Sequence, residues 1–473
     1  MADRSLSADY LIMGAGATGM AFADTLLDHT DATMVLVDRR DRPGGHWVDA
    51  YPFVRLHQPA SFYGLNSTPL GSGAIDASGL NAGFHTLASG PEVVSYYHLA
   101  MQERFLASGR VTYLPMHDLG DDRVATSLLS GARCAIEADR FVDATWSRMN
   151  IPATTPPAYD VAPGATCVPI NDLPRMAPGF DEYVVVGAGK TGMDACIWLL
   201  EHGADPAQVR WVVPRDSWTL NRAHFQPGDD AFVQVCKGLG DQAEAAALAD
   251  SVDDLFARLE ATGELRRIDP DVWPGAYHCA ILSDGELAQL RRIDGVVRLG
   301  RVQAIGTDEI RLDHGTVPTG PTTLHVDCSA RGIPTLPSRP VFEGDRITLQ
   351  WVRTCQPAFS AAMIGFVESA FDDDATKNRI CAPIVPPTVP LDWLHMYRTE
   401  LANRTVQQEY PALGDWFATA RLDLFTKTAR VRLGVDEEAT AHALRYAGYI
   451  DQARANLDRL LADHPDAPTE ETR

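Results

Sequence analysis

Residues 184–194 read VVVGAGKTGMD, and two kinds of nucleotide-binding loop compete for them. A P-loop requires a glycine five positions before its Gly-Lys pair, so that consecutive backbone N–H groups can wrap a phosphate. The pair here is Gly189-Lys190, and the required position holds Val184. The G-x-G-x-x-G spacing of a dinucleotide fold is met instead by Gly187, Gly189 and Gly192. That motif needs a strand in front and a helix behind. EYVVVGAG is an apolar, β-branched run, and the residues after it place Met193, Cys196, Ile197, Leu199 and Leu200 at helical spacing, with Gly203 as a stop. In this geometry the first glycine turns the chain, the second lets a pyrophosphate approach the backbone, and the third lets helix and strand pack. Lys190 and Thr191 stand at the helix start, where a cation and a hydroxyl both meet phosphate. The stretch predicts a bound dinucleotide rather than ATP.

A similar unit opens the chain. Residues 9–38, DYLIMGAGATGMAFADTLLDHTDATMVLVD, give a strand, then Gly14, Gly16 and Gly19, a helix, and a second strand ending in Asp38. An acid at about that distance beyond the glycines accepts hydrogen bonds from an adenosine ribose. The expected contacts are Gly14, Gly16, Ala17, Thr18, Gly19, Asp38 and Arg39. The later unit differs, because its second strand, VRWVVPR, runs into Arg215 with no acid at its end. A guanidinium there can pair with a 2′-phosphate that a carboxylate would repel, which favours NADPH over NADH.

A chain of 473 residues has room for two or three domains, and 45% hydrophobic with 22% charged residues is ordinary for a globular protein. Its 41 basic and 63 acidic residues give a net charge of −22, which argues against nucleic acid as a partner. The eight cysteines, at 134, 167, 196, 236, 279, 328, 355 and 381, form no C-x-x-C pair. That spacing offers neither a redox disulfide nor a zinc site, and scattered thiols suit a reducing cytoplasm. The first apolar stretch is itself the opening strand and helix, so no cleavable signal is expected, and no apolar run is long enough to span a membrane.

The two units predict an α/β chain with two Rossmann-type dinucleotide-binding domains, the second inserted into the first, and a helical C-terminal region. The expected pieces are residues 1–178 for the first part of the first domain, 179–322 for the second domain, 323–390 for the segment returning to the first, and 391–473 for the helical region. A proline-rich passage over 146–180 reads as the crossover. Residues 239–264, acidic and alanine-rich, read as one or two helices, and VVRLGRVQAIGTDEIRLDHG alternates like a hairpin. TTLHVDCSARG is expected to be the strand that returns the chain to the first sheet. EEATAHALRYAGYIDQARANLDRLLADH has a long amphipathic pattern, and the last nine residues, PDAPTEETR, are expected to fray.

Two such fingerprints without a redox cysteine pair resemble the class B flavoprotein monooxygenases, the flavin-containing, Baeyer–Villiger and N-hydroxylating enzymes. The likeness is firmest over residues 9–65 and 180–215. It implies FAD in the first fold and NADPH in the second. VLVDRRDRPGGHWVDAYPFVRLHQPASFY resembles the family's acid, Gly-Gly-x-Trp and Tyr-Pro pattern, which runs toward the flavin ring. On that likeness Asp38 holds the adenosine ribose, and Gly44, Gly45, His46 and Trp47 lie along the cofactor, with Trp47 equally suited to the core. Arg55, His57, Gln58 and Tyr63 crowd the same segment. Beside an isoalloxazine, His57 or Gln58 would hydrogen-bond the flavin and Arg55 would stabilise negative charge; otherwise they are the ordinary polar residues of a surface loop. Later, RITLQWVRTCQPAFSAAMIGFVES combines Gln350, Arg353, Gln356 and Ser360 with an apolar helix from about Ala361, where the returning chain of such flavoproteins often reaches the flavin.

The chain departs from the family in three places. The F-x-G-x-x-x-H signature of the flavin-containing members is missing from APGATCVPINDLPRM, the Ala-Thr-Gly turn reads Ala-Thr-Trp with Trp146 in the glycine position, and its later counterpart reads CSARG. The scaffold therefore transfers better than any one subfamily reaction. The resemblance implies hydride transfer from NADPH to FAD, then O2 forming a flavin C4a-peroxide that gives one oxygen atom to a small organic substrate. Two alternatives stay open: an FAD/NAD(P)H-dependent reductase, dehydrogenase or desaturase, and a regulatory protein that binds dinucleotides without turnover. Isolated histidines such as His85 and His224 read as surface or core residues, and residues 225–300 offer no motif.

Overall fold

Strand β1 (Arg4–Met13) buries Leu11 and Ile12 at its end, and the glycine turn that follows leads into helix α1 (Ala17–His29). The structure, a computed structural model, describes residues 4–464 except 335 and 424; the stretch 465–473 lies outside them. α1 buries Met20, Phe22, Ala23 and Leu26 and returns the chain to β2 (Met34–Val37), all four residues of which are buried. β1 pairs in parallel with β2 on one side and with β4 (Arg133–Asp143) on the other, and β2 pairs in parallel with β3 (Val111–Leu114). A sheet of parallel strands is covered on both faces, which is why these strands read as apolar runs.

The second unit is a five-stranded parallel sheet. In chain order its parts are β5 (Thr166–Pro169), β6 (Glu182–Val186), α2 (Lys190–Glu201), β7 (Val209–Val212), then, after an insertion, two further strands over Gly295–Val297 and Thr323–Asp327. The insertion pairs β8 (Ser217–Asn221) in parallel with β9 (Ala276–Leu282), carries helices α3 (Phe232–Leu248) and Val252–Ala261, and ends with α4 (Asp284–Leu290). β10 (Gly295–Val297) flanks β7, and β11 (Thr323–Asp327) lies between β6 and β5. The hairpin over Val302–Ile305 and Glu309–Leu312 forms as expected, as do two helices over the acidic, alanine-rich stretch.

One expectation is corrected here. The strand in TTLHVDCSARG belongs to the second sheet, with Leu324 opposite Tyr183 and Thr166. The return to the first sheet is made by β12 (Arg346–Thr348), parallel to β4 with Arg346 opposite Phe141. Every residue of β11 is buried, so either sheet could take it; an apolar run states its burial but not its partner.

Helix α5 (Pro357–Ala370) then packs on α1 closely enough that a Cβ on Gly365 would lie 2.9 Å from the Phe22 carbonyl oxygen. Phe22, Phe359 and Phe366 join this core, each contributing about 1.5–3 kcal/mol by leaving water. α6 (Pro390–Gln407) and α7 (Glu437–Ala462) cover the insertion. α7 approaches the small-residue face of α3, where Asn456 Nδ2 donates to the Ala246 and Ala249 carbonyls at 2.8 Å and Arg445 pairs with Asp241. No helix among the described residues is long and apolar enough to cross a membrane. The reading of eight scattered thiols is also corrected: Cys279 and Cys355 form a disulfide across 76 positions of sequence, a tertiary pairing that local spacing cannot register.

Candidate functional site

The first glycine turn has the shape of a phosphate cradle. Gly14 takes a φ of +102°, and a Cβ on Gly19 would lie 2.0 Å from the Gly14 carbonyl oxygen, so nothing larger than glycine fits either position. A second glycine turn meets it, with the Cβ of any residue at Gly16 only 3.3 Å from Gly45 Cα, and the Gly44 N–H donates to the Ala15 carbonyl at 2.9 Å. Asp38 is buried where the two meet. Its carboxylate accepts the Ala15 N–H at 2.7 Å and the Arg40 N–H at 2.8 Å; burial still raises its pKa. The α1 N-terminus has no side-chain cap, leaving its N–H groups for an anion. These residues fit the adenylate half of FAD.

The surroundings of the turn sort the expected contacts. Ala17 opens α1, and Thr18 donates to the Ala144 carbonyl at 3.2 Å. Arg39 is turned to solvent, 3.4 Å from Asp118. Burial, with the Arg40 charge second, pushes the His46 imidazole down to about 4. Trp47 is half-buried against both main cores and donates from Nε1 to the Tyr63 hydroxyl at 2.8 Å.

The second turn repeats the first. Gly187 has a φ of +124°, and a Cβ on Gly192 would lie 2.1 Å from the Gly187 carbonyl oxygen, whereas the Cβ direction of Gly189 is open. α2 likewise has no side-chain cap, and Thr191 is its half-buried second residue. Beside the turn lies a cavity of about 320 Å³ lined by Ala188, Trp211, Val213, Asp216, Arg291 and Arg298, among others. Arg298 grips Asp216 with Nε and Nη2, both at 2.9 Å, and reaches Asp269 from Nη2 at 2.9 Å. Arg215 is exposed, outside the lining, and acts electrostatically on His278.

Beside the second turn is a buried charged cluster that reaches the segment around Tyr51 and His57. Lys190 pairs with Asp194 and lies 3.7 Å from Glu286, and the Tyr51 hydroxyl donates to Asp194 at 2.6 Å. Arg222, with no exposed surface, meets Glu286 at 2.7 Å and donates to the His57 carbonyl at 3.2 Å and to Asn81 Oδ1 at 3.1 Å. Burial pushes Glu286 up, but Lys190 and Arg222 outweigh it and the carboxyl sits below its ordinary range. His57 Nδ1 is buried with no hydrogen-bond partner, and burial, reinforced by Lys190 and Arg222, holds the imidazole at about 3. Gln58 is half-buried beside it. Arg55 is exposed and acts electrostatically on Glu92, so this expected catalytic group is not brought to the cluster. Tyr51 is the tyrosine of the Tyr-Pro pattern, but no motif marked Asp194, Arg222 or Glu286 as its neighbours, since they come from distant parts of the chain.

The late segment passes the C-terminal end of β4, where Leu349 N–H donates to the Asp143 carbonyl at 3.0 Å. That is the edge at which open α/β sheets bind ligands. Its helix begins at Pro357, a turn earlier than expected, and Gln350, Arg353 and Ser360 are engaged internally. Ser360 Oγ accepts the Val352 and Arg353 N–H groups at 3.2 and 3.1 Å. Arg353 lies over the rings of Phe359 and Phe417 and 3.5 Å from Glu400, and Gln350 donates to the Arg339 carbonyl at 2.8 Å.

Comparison with known proteins adds three findings. Residues 12–57 match the model of the NAD(P)-binding Rossmann-like domain family. The chain is 48% identical over 423 residues to the uncharacterized protein Rv2000 of Mycobacterium tuberculosis and, to the same extent, to the uncharacterized protein Mb2023 of Mycobacterium bovis, covering 89% of this chain and 78% of theirs. Among solved structures it is similar to a cyclohexanone-bound cyclohexanone monooxygenase (12% identity, 97% of this chain and 98% of that one, TM-score 0.47). It is also similar to a flavin-containing monooxygenase from Stenotrophomonas maltophilia (13%, 77% and 97%, TM-score 0.44) and to a bacillithiol disulfide reductase from Staphylococcus aureus (9%, 77% and 98%, TM-score 0.41). The chain belongs to the family of these mycobacterial proteins, and its architecture holds two parallel-sheet units of Rossmann type, each with a glycine turn between a strand and a helix.

Proposed function

We propose that the chain is an FAD-dependent monooxygenase that consumes a reduced nicotinamide dinucleotide and transfers one oxygen atom from O2 to a small organic substrate. The observation that carries this reading is the pairing of two glycine turns with uncapped helix starts and, beside the second of them, a buried polar cluster in which His57 Nδ1 lacks a partner. FAD, when bound, supplies the acceptance of hydride and the reduction of O2. The first turn and Asp38 hold its adenylate, while Gly187, Gly189, Lys190, Thr191 and Gly192 hold the nicotinamide dinucleotide. His57 stays neutral at physiological pH and offers Nδ1 to the reacting groups, with Gln58 beside it. Arg222 and Glu286 are positioning residues, fixing the loop through the His57 carbonyl and excluding water. Arg55 has no part in this centre.

The test is anaerobic reduction of the purified protein by a reduced nicotinamide dinucleotide, followed by mixing with isotope-labelled O2 and candidate substrates. The expected result is label in an organic product, preceded by a transient flavin spectrum unlike the oxidised or reduced form. Rapid reoxidation with all O2 recovered as hydrogen peroxide, and no labelled product from ketones, amines, sulfides or alkenes, would replace oxygen insertion with a reductase, dehydrogenase or desaturase. The missing signature before the second fold and Trp146 at a glycine turn are the features that favour that alternative. No flavin reduction by either nicotinamide dinucleotide would leave a binding protein.

A further inference from the structure

The cavity beside the second turn carries the acid that the strand VRWVVPR lacks. In a dinucleotide-binding βαβ unit the adenosine ribose lies between the glycine turn and the end of the second strand. The cavity is bounded by those two features, Ala188 within the turn and Val213 directly after β7. The side chain that enters it from the strand end is Asp216, one residue beyond Arg215. We infer that this cavity reads an unphosphorylated adenosine ribose, so that the chain prefers NADH to NADPH, with Asp216 as the specificity-determining residue. The inference rests on the second fold's being the nicotinamide fold.

Three features support it. The lining holds three carboxylates, Asp216, Asp269 and Asp294, against two guanidiniums, Arg291 and Arg298. A 2′-phosphate would enter an environment with an excess of negative charge, whereas a 2′-hydroxyl can donate to a carboxylate oxygen. The guanidiniums are also committed. Arg298 spends Nε and Nη2 on Asp216 and Asp269, and Arg291 donates from Nε and Nη2 to the Ile268 and Arg267 carbonyls, all at 2.8–2.9 Å. A phosphate could take a bidentate grip on Arg298 only by displacing Asp216 or Asp269 from Nη2. Asp216 is mostly buried, its side chain 14% exposed, so solvent does little to screen it from a ligand in the cavity.

The experiment uses the purified full chain and two probes without a nicotinamide ring, ADP-ribose and its 2′-phosphate, titrated calorimetrically. ADP-ribose is expected to bind at least about tenfold more tightly, a difference of about 1.4 kcal/mol. Asp216→Asn removes the carboxylate that takes two of the Arg298 donors and is expected to abolish or reverse that ratio, while Arg215→Ala leaves it unchanged. Equal or tighter binding of the 2′-phosphate by the unaltered chain would overturn the inference and leave the nicotinamide fold intact. An unchanged ratio in a folded Asp216→Asn protein would overturn the role of Asp216. Binding of neither probe would overturn the nicotinamide assignment itself, and this inference with it.

Discussion

The two glycine turns are nearly the same object in different settings. In each, a Cβ on the third glycine would collide with the carbonyl oxygen of the first, at 2.0 Å for Gly19 and 2.1 Å for Gly192. Around the first turn the charged partner is local: Asp38 is held by the N–H groups of Ala15 and Arg40. Around the second, beyond the local Lys190–Asp194 pair, the charges are tied across long stretches of chain, Lys190 to Glu286 and Asp216 to Arg298. Backbone shape is set by neighbours in sequence and can be copied from one unit to the other. The electrostatic setting is tertiary, and there the two sites diverge.

The sharpest way to separate them is to break the remote charges of the second site. Arg222→Met leaves Glu286 buried with its nearest cation gone, and is expected to cost about 3–5 kcal/mol. Arg222→Met combined with Glu286→Leu should recover most of that loss, because no unpaired charge is left behind. Urea unfolding of the two proteins checks this; equal losses would mean that Arg222 acts through packing. Next in size are the glycines. Gly19→Ala and Gly192→Ala should each cost about 1–3 kcal/mol or more through the collision with backbone. Gly189→Ala, whose Cβ direction is open, should unfold like the parent yet lose affinity for the nicotinamide dinucleotide. A melting temperature for Gly192→Ala equal to that of Gly189→Ala would break the comparison.

Acid titration compares the turns in another way. His46 lies by the first turn and His57 at the junction, and their imidazoles titrate at about 4 and about 3 when folded. An unfolded imidazole titrates near 6.5. Between those values the unfolded chain binds more protons, so stability that is complete above about pH 6.5 is lost as the pH falls toward 3, by up to about 1.4 kcal/mol per pH unit for each group. His57→Asn should flatten this decline more than His46→Asn. Denaturant midpoints across that range measure it, and identical slopes for all three proteins would show that neither imidazole is held neutral.

What the sequence made legible follows the same division. Both glycine turns, their helices and the amphipathic α7 could be read because a turn or a helical face is written in residues a few positions apart. The sheet that takes β11, the Cys279–Cys355 bond and the Arg222–Glu286 pair could not, since each joins segments far apart in sequence. Asp216 was hidden differently. It stands one residue past Arg215, and only the course of the chain after Val213 decides which of the two side chains enters the cavity.

The smallest effect expected is at Arg39, which follows Asp38 and from sequence alone belongs to the ribose site. Its side chain is 74% exposed and its partner Asp118 is 55% exposed, so the pair is screened by water. Arg39→Ala should change stability by less than about 0.5 kcal/mol and leave FAD retention on gel filtration unaltered. Asp38→Ala, by contrast, removes the acceptor of two backbone N–H groups and should release the flavin. If Arg39→Ala released it equally, the first site would also depend on an ion pair to a distant stretch of chain, and the contrast between a locally built and a remotely built setting would fail.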